Sequence, residues 1–187
     1  MPDTDWWNAL WPEPARVIAA LGIEPGLDIV DLCCGDGLFT TALAATARRV
    51  FAVDLDETLL AAAERRLTDA GFGNCTFIAD DARRLRSVVP GPVDLVYCAN
   101  TFHGVPDQQR LAQMIHGCLQ PSGRFVIVNW YPRPREETRV LGLPRGPRTE
   151  LRMSPIDVAA VVTPAGFVLD RLVECPPFHY GAVFRRS

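Results

Sequence analysis

The chain has 187 residues, 48% of them hydrophobic and 22% charged, with a formal net charge of −3. This length builds one well-buried domain rather than two, and the slight acid excess gives no general attraction for a polyanion, so no nucleic-acid partner is expected. No apolar run approaches the ~20 residues that cross a bilayer, and "MPDTDWWNALWPEP" has early acids and no apolar core of the kind a signal peptide needs.

Six cysteines are scattered along the chain. A domain of this size does not need disulfides. The expectation is reduced, mostly buried thiols in a cytoplasmic protein without a membrane partner. The sequence leaves the oligomeric state open.

Apolar strand-like runs alternate with helical patterns along the chain. "LDIVDL" (27–32) reads as a buried strand, "LFTTALAATA" (38–47) as a helix and "VFAVDL" (50–55) as a second strand. "ETLLAAAERRLTDAG" (57–71) reads as a helix ending near Gly71. "CTFIAD" (75–80) is a third strand, followed by a short helix over 82–88, and "VDLVYCAN" (93–100) is a fourth strand. "PDQQRLAQMIHGCLQ" (106–120) reads as a helix started by Pro106, and "GRFVIVNWY" (123–131) as a fifth strand. Residues 132–152, rich in Pro, Arg and Gly, read as a loop. "SPIDVAAVVTPAG" (154–166) reads as a helix with Ser154 as its cap and Pro155 in its first turn. "FVLDRLVEC" (167–175) and "FHYGAVFRR" (178–186), joined by Pro176 and Pro177, form an antiparallel pair because the connection is short.

This alternation implies an α/β fold, a parallel sheet with helices on both faces. Ligands in such sheets bind at the carboxyl ends of the strands. At the first of these ends Asp31 is followed by a tight turn containing Cys33, Cys34, Gly35 and Gly37. Glycines let a backbone turn sharply and approach a ligand. Asp54 ends the next strand, about 20 residues on, the usual spacing for a carboxylate that holds ribose hydroxyls. Asp80 and Asp81 end the third. Acids at three strand tips suit a ribose, an adenine amino group and an amino-acid ammonium, and suit a pyrophosphate poorly.

Five segments in order resemble the motifs of class I S-adenosylmethionine-dependent methyltransferases: "VDLCCGDG", "VFAVDLDETLL", "FIADDARRL", "VDLVYCANTFHGVPD" and "LQPSGRFVIVNW". The resemblance covers roughly residues 25–131. It implies a Rossmann-like α/β/α sandwich with a seven-stranded sheet of order 3-2-1-4-5-7-6, strand 7 antiparallel. It implies S-adenosylmethionine as cofactor and S-adenosylhomocysteine as product. Asp31, Cys33, Gly35 and Gly37 would form the loop under the methionine part. Asp54 would accept the ribose hydroxyls, with Leu55 beside it, and Asp81 with the backbone of Ala82 would meet the adenine edge. Asn100 would lie near the methionine amino group and the transferring methyl. Cys33 departs from the pattern, standing where the family usually has glycine.

His103 is the candidate general base; pocket-shaping or packing is the equal alternative. His116 reads as structural. His179 and Tyr180 are weighed as closing the substrate pocket, and Trp6, Trp7 and Trp11 either as core or as a lid over the cofactor. The expected organisation is a single domain: an N-terminal helical lid (1–24), a cofactor-binding core (25–131), a substrate-side loop (132–152) and a C-terminal helix with hairpin (153–187). Arg133, Arg135, Arg139, Arg145 and Arg148 in that loop either steer an anionic acceptor or are simply solvated.

The expected reaction is methyl transfer to a small-molecule acceptor by in-line displacement. No ligand spacing of the C-x-x-C or H-E-x-x-H kind occurs, so no metal site is expected. Two alternatives remain. One is a non-catalytic S-adenosylmethionine-binding module. The other is a nicotinamide-dependent oxidoreductase, weakened because Thr40 stands where its third glycine should be.

Overall fold

The structure is a computed structural model and describes residues 4–187. Seven strands form one sheet: β1 (Asp28–Leu32), β2 (Arg49–Asp54), β3 (Cys75–Ala79), β4 (Val93–Ala99), β5 (Leu119–Trp130), β8 (Phe167–Cys175) and β9 (His179–Arg186). A separate small hairpin holds β6 (Arg139–Val140) and β7 (Leu143–Pro144). The sheet order is β3-β2-β1-β4-β5-β9-β8. The first five strands run parallel, and β9 lies antiparallel between β5 and β8. Counted without the small hairpin, this is the expected order 3-2-1-4-5-7-6.

Helices cover both faces, as the alternation of strand residues requires. Ile29, Leu95, Tyr97, Val126 and Val128 point to one face. There they meet α1 (Thr4–Leu10), α2 (Pro14–Ala20), α3 (Leu38–Ala44) and Leu67 of α4 (Glu57–Asp69). Their neighbours Val30, Val96, Phe125 and Ile127 point the other way. These pack under α5 (Leu85–Val88), α6 (Gln108–Cys118) and α7 (Pro155–Val162). A single-residue slip of any central strand would exchange these two sets, so the register is held by both cores.

Several boundaries differ from the sequence reading. Helix α3 ends at Ala44, and α4 ends at Asp69. Pro106 does not start α6. Asp107 caps it instead, its carboxylate accepting the Arg110 N–H at 3.2 Å. Strand β5 begins at Leu119 rather than 123, because Leu119 pairs with Val93 ahead of an irregularity in the register. Segment 82–88 divides into a 3₁₀ turn, Ala82–Arg84, and α5. Ser154 caps α7, as the sequence suggested, and Asp157 completes a reciprocal capping box with it.

Residues 132–152 are more ordered than a plain loop. They contain 3₁₀ turns at Arg135–Glu137 and Thr149–Leu151 around the β6–β7 hairpin. Arg152, only 6% exposed, holds them together. Its guanidinium donates to the carbonyls of Arg133, Arg145 and Pro147 and to the Thr138 hydroxyl, at 2.9 to 3.2 Å. It also lies 4.9 Å from the centre of a Trp130 ring.

Candidate active site

The carboxyl ends of β1 to β5 open into a cavity of about 960 Å³. Its floor is the turn after β1. Leu32 is the last strand residue, and the chain must then reverse before α3. It does so through left-handed conformations at Cys33 (φ 59°), Gly35 (φ 57°) and Gly37 (φ 81°). Cys33 therefore occupies a conformation that favours glycine, at a cost on the order of 1–2 kcal/mol. Gly37 is not on the cavity wall. A Cβ there would meet the Ala63 Cβ at 2.8 Å, so this glycine lets α3 approach α4.

Asp31 is buried beneath this turn, and the Thr40 hydroxyl donates to its Oδ2 at 2.6 Å. Desolvation raises its pKa to about 7, helped by the nearby Asp54 charge and opposed by the Thr40 bond. Asp54 accepts the Gly35 N–H at 2.8 Å and the Asp56 N–H at 3.1 Å, which ties the tip of β2 to the β1 turn. Leu55, next in sequence, is 70% exposed and lies on the cavity wall. Asp81 and Ala82 line the same wall. The Asp81 carboxylate is held by Arg83, whose side-chain and backbone hydrogen bonds lower its pKa to about 2.

Asn100 stands just beyond β4 with φ 61°. Its backbone N–H is donated to the Val128 carbonyl at 2.8 Å. Both polar atoms of its side chain are buried without a partner among the described residues. Unsatisfied buried amides are costly, and this one borders the cavity. His103 follows on a 3₁₀ turn, Phe102–Gly104, and its Nδ1 lies 2.9 Å from Asn129 Oδ1. That contact makes Nδ1 the donor and leaves the lone pair on Nε2. Burial lowers the pKa of His103, the Asn129 bond opposes the shift, and the Arg152 charge adds to it.

Trp6 and Trp7 form part of the cavity wall while most of their surface is buried. Trp11 is core, packed against Phe39 and His179. His179 and Tyr180 do not reach the cavity. His179 is sandwiched between Trp11 and Trp130, and the Tyr180 hydroxyl donates to the Met153 carbonyl at 2.9 Å. His116 packs its edge on Phe167, away from the site. Of the five loop arginines, Arg135 and Arg145 reach the cavity.

The residues the sequence reading missed act through others: Thr40 on Asp31, Asn129 on His103 and Arg152 on the loop. Each partnership crosses between elements and leaves no local pattern. Six free cysteines are present. Burial raises the pKa of Cys33 to about 12 and that of Cys34 further, with the Asp31 and Asp54 charges adding to both shifts. Neither is a thiolate nucleophile at neutral pH.

The fold matches known proteins. Across 99% of its length the chain superimposes on the crystal structure of a SAM-dependent methyltransferase from Aquifex aeolicus, covering 94% of that chain with a TM-score of 0.81 and 20% identity. A second likeness is magnesium protoporphyrin IX methyltransferase from Synechocystis with bound SAH, at TM-score 0.71 and 16% identity, covering 98% of this chain and 93% of that one. Among curated proteins, the chain is 28% identical over 131 residues to a ubiquinone biosynthesis O-methyltransferase of Xanthomonas campestris, which is 65% of this chain and 54% of that protein. It is 29% identical over 117 residues to a demethylmenaquinone methyltransferase of Lactococcus lactis, covering 61% and 46% respectively. The chain thus spans about half the length of these curated relatives. Residues 29–123 match the family model described as a methyltransferase domain. The chain belongs to the methyltransferase-domain family and has the Rossmann-like class I fold of S-adenosylmethionine-dependent methyltransferases.

Proposed function

We propose that this chain transfers the methyl group of S-adenosylmethionine to the hydroxyl of a small-molecule acceptor. The observation that carries the reading is the convergence of Asp31, Asp54, Asp81 and the unpartnered amide of Asn100 on one cavity of this fold. The residues fit the cofactor. Asp54 would hold the ribose hydroxyls beside the exposed side chain of Leu55. Asp81 and the Ala82 backbone would receive the adenine edge, with Arg83 sharing or releasing the Asp81 carboxylate. The Asn100 Oδ1 and the buried Asp31 carboxyl would accept from the methionine ammonium. Cys33 and Gly35 would form the floor under it.

S-adenosylmethionine supplies a methyl group already activated on a sulfonium. The protein's task is then alignment and exclusion of water. Trp6 and Trp7, with the segment 132–152, roof the cavity and serve the second purpose. His103 serves the acceptor: its Nε2 takes the hydroxyl proton as the oxygen attacks. Asn129 fixes the ring by accepting from Nδ1, and the Arg152 charge helps keep the imidazole neutral. The O-methyltransferase names of curated relatives agree with a hydroxyl acceptor. In this reading residues 4–24 are a lid, 25–131 the cofactor core, 132–152 the acceptor side and 153–187 the closing helix and hairpin. Among the described residues no helix is long and apolar enough to cross a membrane. The six unpaired cysteines suit a reducing compartment, so we place the protein in the cytoplasm.

Calorimetry with S-adenosylhomocysteine and with NAD tests the reading. Binding of the first and not the second is expected. Binding of NAD alone would overturn it, and family membership gives the oxidoreductase alternative no support.

A further inference from the structure

The cavity is electrically divided. Asp31, Asp54, Asp80 and Asp81 make the strand-tip side acidic, and Arg83 on that side is bound to Asp81. Another part of the wall comes from the 132–152 segment and carries Arg135 and Arg145. The acidic side answers the amino and hydroxyl groups of the cofactor. The cationic side answers none of these groups.

Arg145 is held by its backbone and unspent at its side chain. Its N–H donates to the Thr138 carbonyl at 2.9 Å. Its carbonyl accepts from the Thr138 hydroxyl at 2.9 Å and from Arg152 at 3.1 Å. The guanidinium has no hydrogen bond or ion pair to any described residue, and its Nε is buried. It lies 5.4 Å from the centre of a Trp6 ring, which offsets part of its desolvation. Next to it, Gly146 leaves no room for a Cβ, which would meet the Trp130 indole at 2.9 Å, so the segment is packed down rather than solvated. Arg135 reaches the same place, its Nε donating to the Gly146 carbonyl at 3.0 Å. A cation positioned this firmly in a half-buried wall gains most from an anion.

We propose that Arg145, assisted by Arg135, seats an anionic group of the methyl acceptor, a carboxylate or a phosphate, so that the substrate class is small organic acids. The inference rests on the cavity being a methyl-transfer site. The apolar body of such an acid lies against Trp6, Trp7 and Trp130, which line the same cavity. The rival occupant is the carboxylate of the cofactor itself. The acceptor is favoured because the segment lies beyond residues 29–123, the part shared with the family model, and because loops on such folds are where substrate recognition differs.

The test is calorimetry on the full chain saturated with S-adenosylhomocysteine. It is titrated with 4-hydroxybenzoate, octanoate and phenyl phosphate, and with their uncharged counterparts 4-hydroxybenzamide, octanamide and phenol. At least one acid binds about tenfold more tightly than its counterpart, the scale of a charge-assisted hydrogen bond, and the better of carboxylate and phosphate identifies the group. Arg145→Gln reduces the preference to within about threefold and Arg145→Lys retains it, with S-adenosylhomocysteine affinity unchanged to within about threefold in both. Arg135→Gln, at an exposed position where folding is not at stake, lowers the preference about threefold. The proposal is overturned if no acid is preferred, or if the preference survives Arg145→Gln. It is also overturned if Arg145→Gln weakens S-adenosylhomocysteine about tenfold with the preference intact, which would assign the arginine to the cofactor. Failure of the unaltered chain to bind S-adenosylhomocysteine would remove the underlying reading, and this proposal with it.

Discussion

Asp31 should make the stability of the chain fall as pH rises, and Asp31→Asn should remove that fall. The carboxyl is fully buried with a folded-state pKa of about 7, against an ordinary value of 3.8 in the unfolded chain. A raised pKa means that the folded state holds a proton the unfolded state has released. The group's stabilising contribution is therefore complete below pH 3.8 and is lost as pH rises through 7. The whole difference is worth roughly 4 kcal/mol at 1.36 kcal/mol per unit. Above pH 5 the unfolded carboxyl is already ionised, so about 2.5 kcal/mol of this falls between pH 5 and pH 8. For a chain of this size that corresponds to a Tm change on the order of 5–10 °C.

Asparagine keeps the shape and still accepts the Thr40 hydroxyl, but it has no proton to lose. Thermal unfolding of both proteins at pH 5, 6, 7 and 8 is the assay. The two curves should lie close together at pH 5 and diverge towards pH 8, with the asparagine variant the more stable. All other titrations are common to both and cancel. A difference in Tm that does not depend on pH would show that Asp31 is ionised throughout, and the account of its burial would be wrong.

Four further outcomes follow from the same geometry. Asp54→Ala weakens S-adenosylhomocysteine binding at least tenfold, about 1.4 kcal/mol, in calorimetry; unchanged affinity would reject the ribose assignment. His103→Ala lowers kcat about 100-fold or more with cofactor affinity preserved. Asn129→Leu should lower kcat in the same direction while shifting the pH profile, since the ring loses the acceptor that orders its tautomer. Normal turnover by His103→Ala at saturating acceptor would remove the base. Arg152→Leu leaves several loop carbonyls unpaired and costs roughly 2–4 kcal/mol, read by urea unfolding; limited proteolysis should then cut first within residues 133–149.

The sheet was legible because its signal is local. β1, β2, β4 and β9 are short apolar runs, and the helices between them carry their own caps, such as Asp56 on α4 and Ser154 on α7. The strand-tip acids were legible for the same reason, since the parallel topology places the carboxyl ends of β1 to β5 on one edge. Helix α6 was misread at its start because Pro106 resembles a first-turn proline, whereas Asp107 carries the hydrogen bond that begins the helix. The acceptor side was far less legible. Segment 132–152 has no periodicity. Its order comes from Arg152, whose four hydrogen-bonding partners lie 5 to 19 positions away. Nothing in five similar-looking arginines distinguishes Arg145, whose side chain faces the cavity, from Arg139, which bonds the Gly142 carbonyl of its own hairpin.

The paired cysteines show how backbone demand and side-chain chemistry separate. The turn after β1 needs left-handed conformations whatever residues stand in it, because α3 must leave close to where β1 ends. Cys33 meets that demand at some cost and packs its side chain against the core. Burial holds the proton on the Cys33 sulfur, and the charges of Asp54, Asp31 and Asp81, which the proposed function assigns to a cationic cofactor, add to the effect. A buried floor lined by acids is thus poorly suited to a cysteine nucleophile. Burial, with the neighbouring acids adding to it, accounts for why these two adjacent thiols stay protonated at neutral pH.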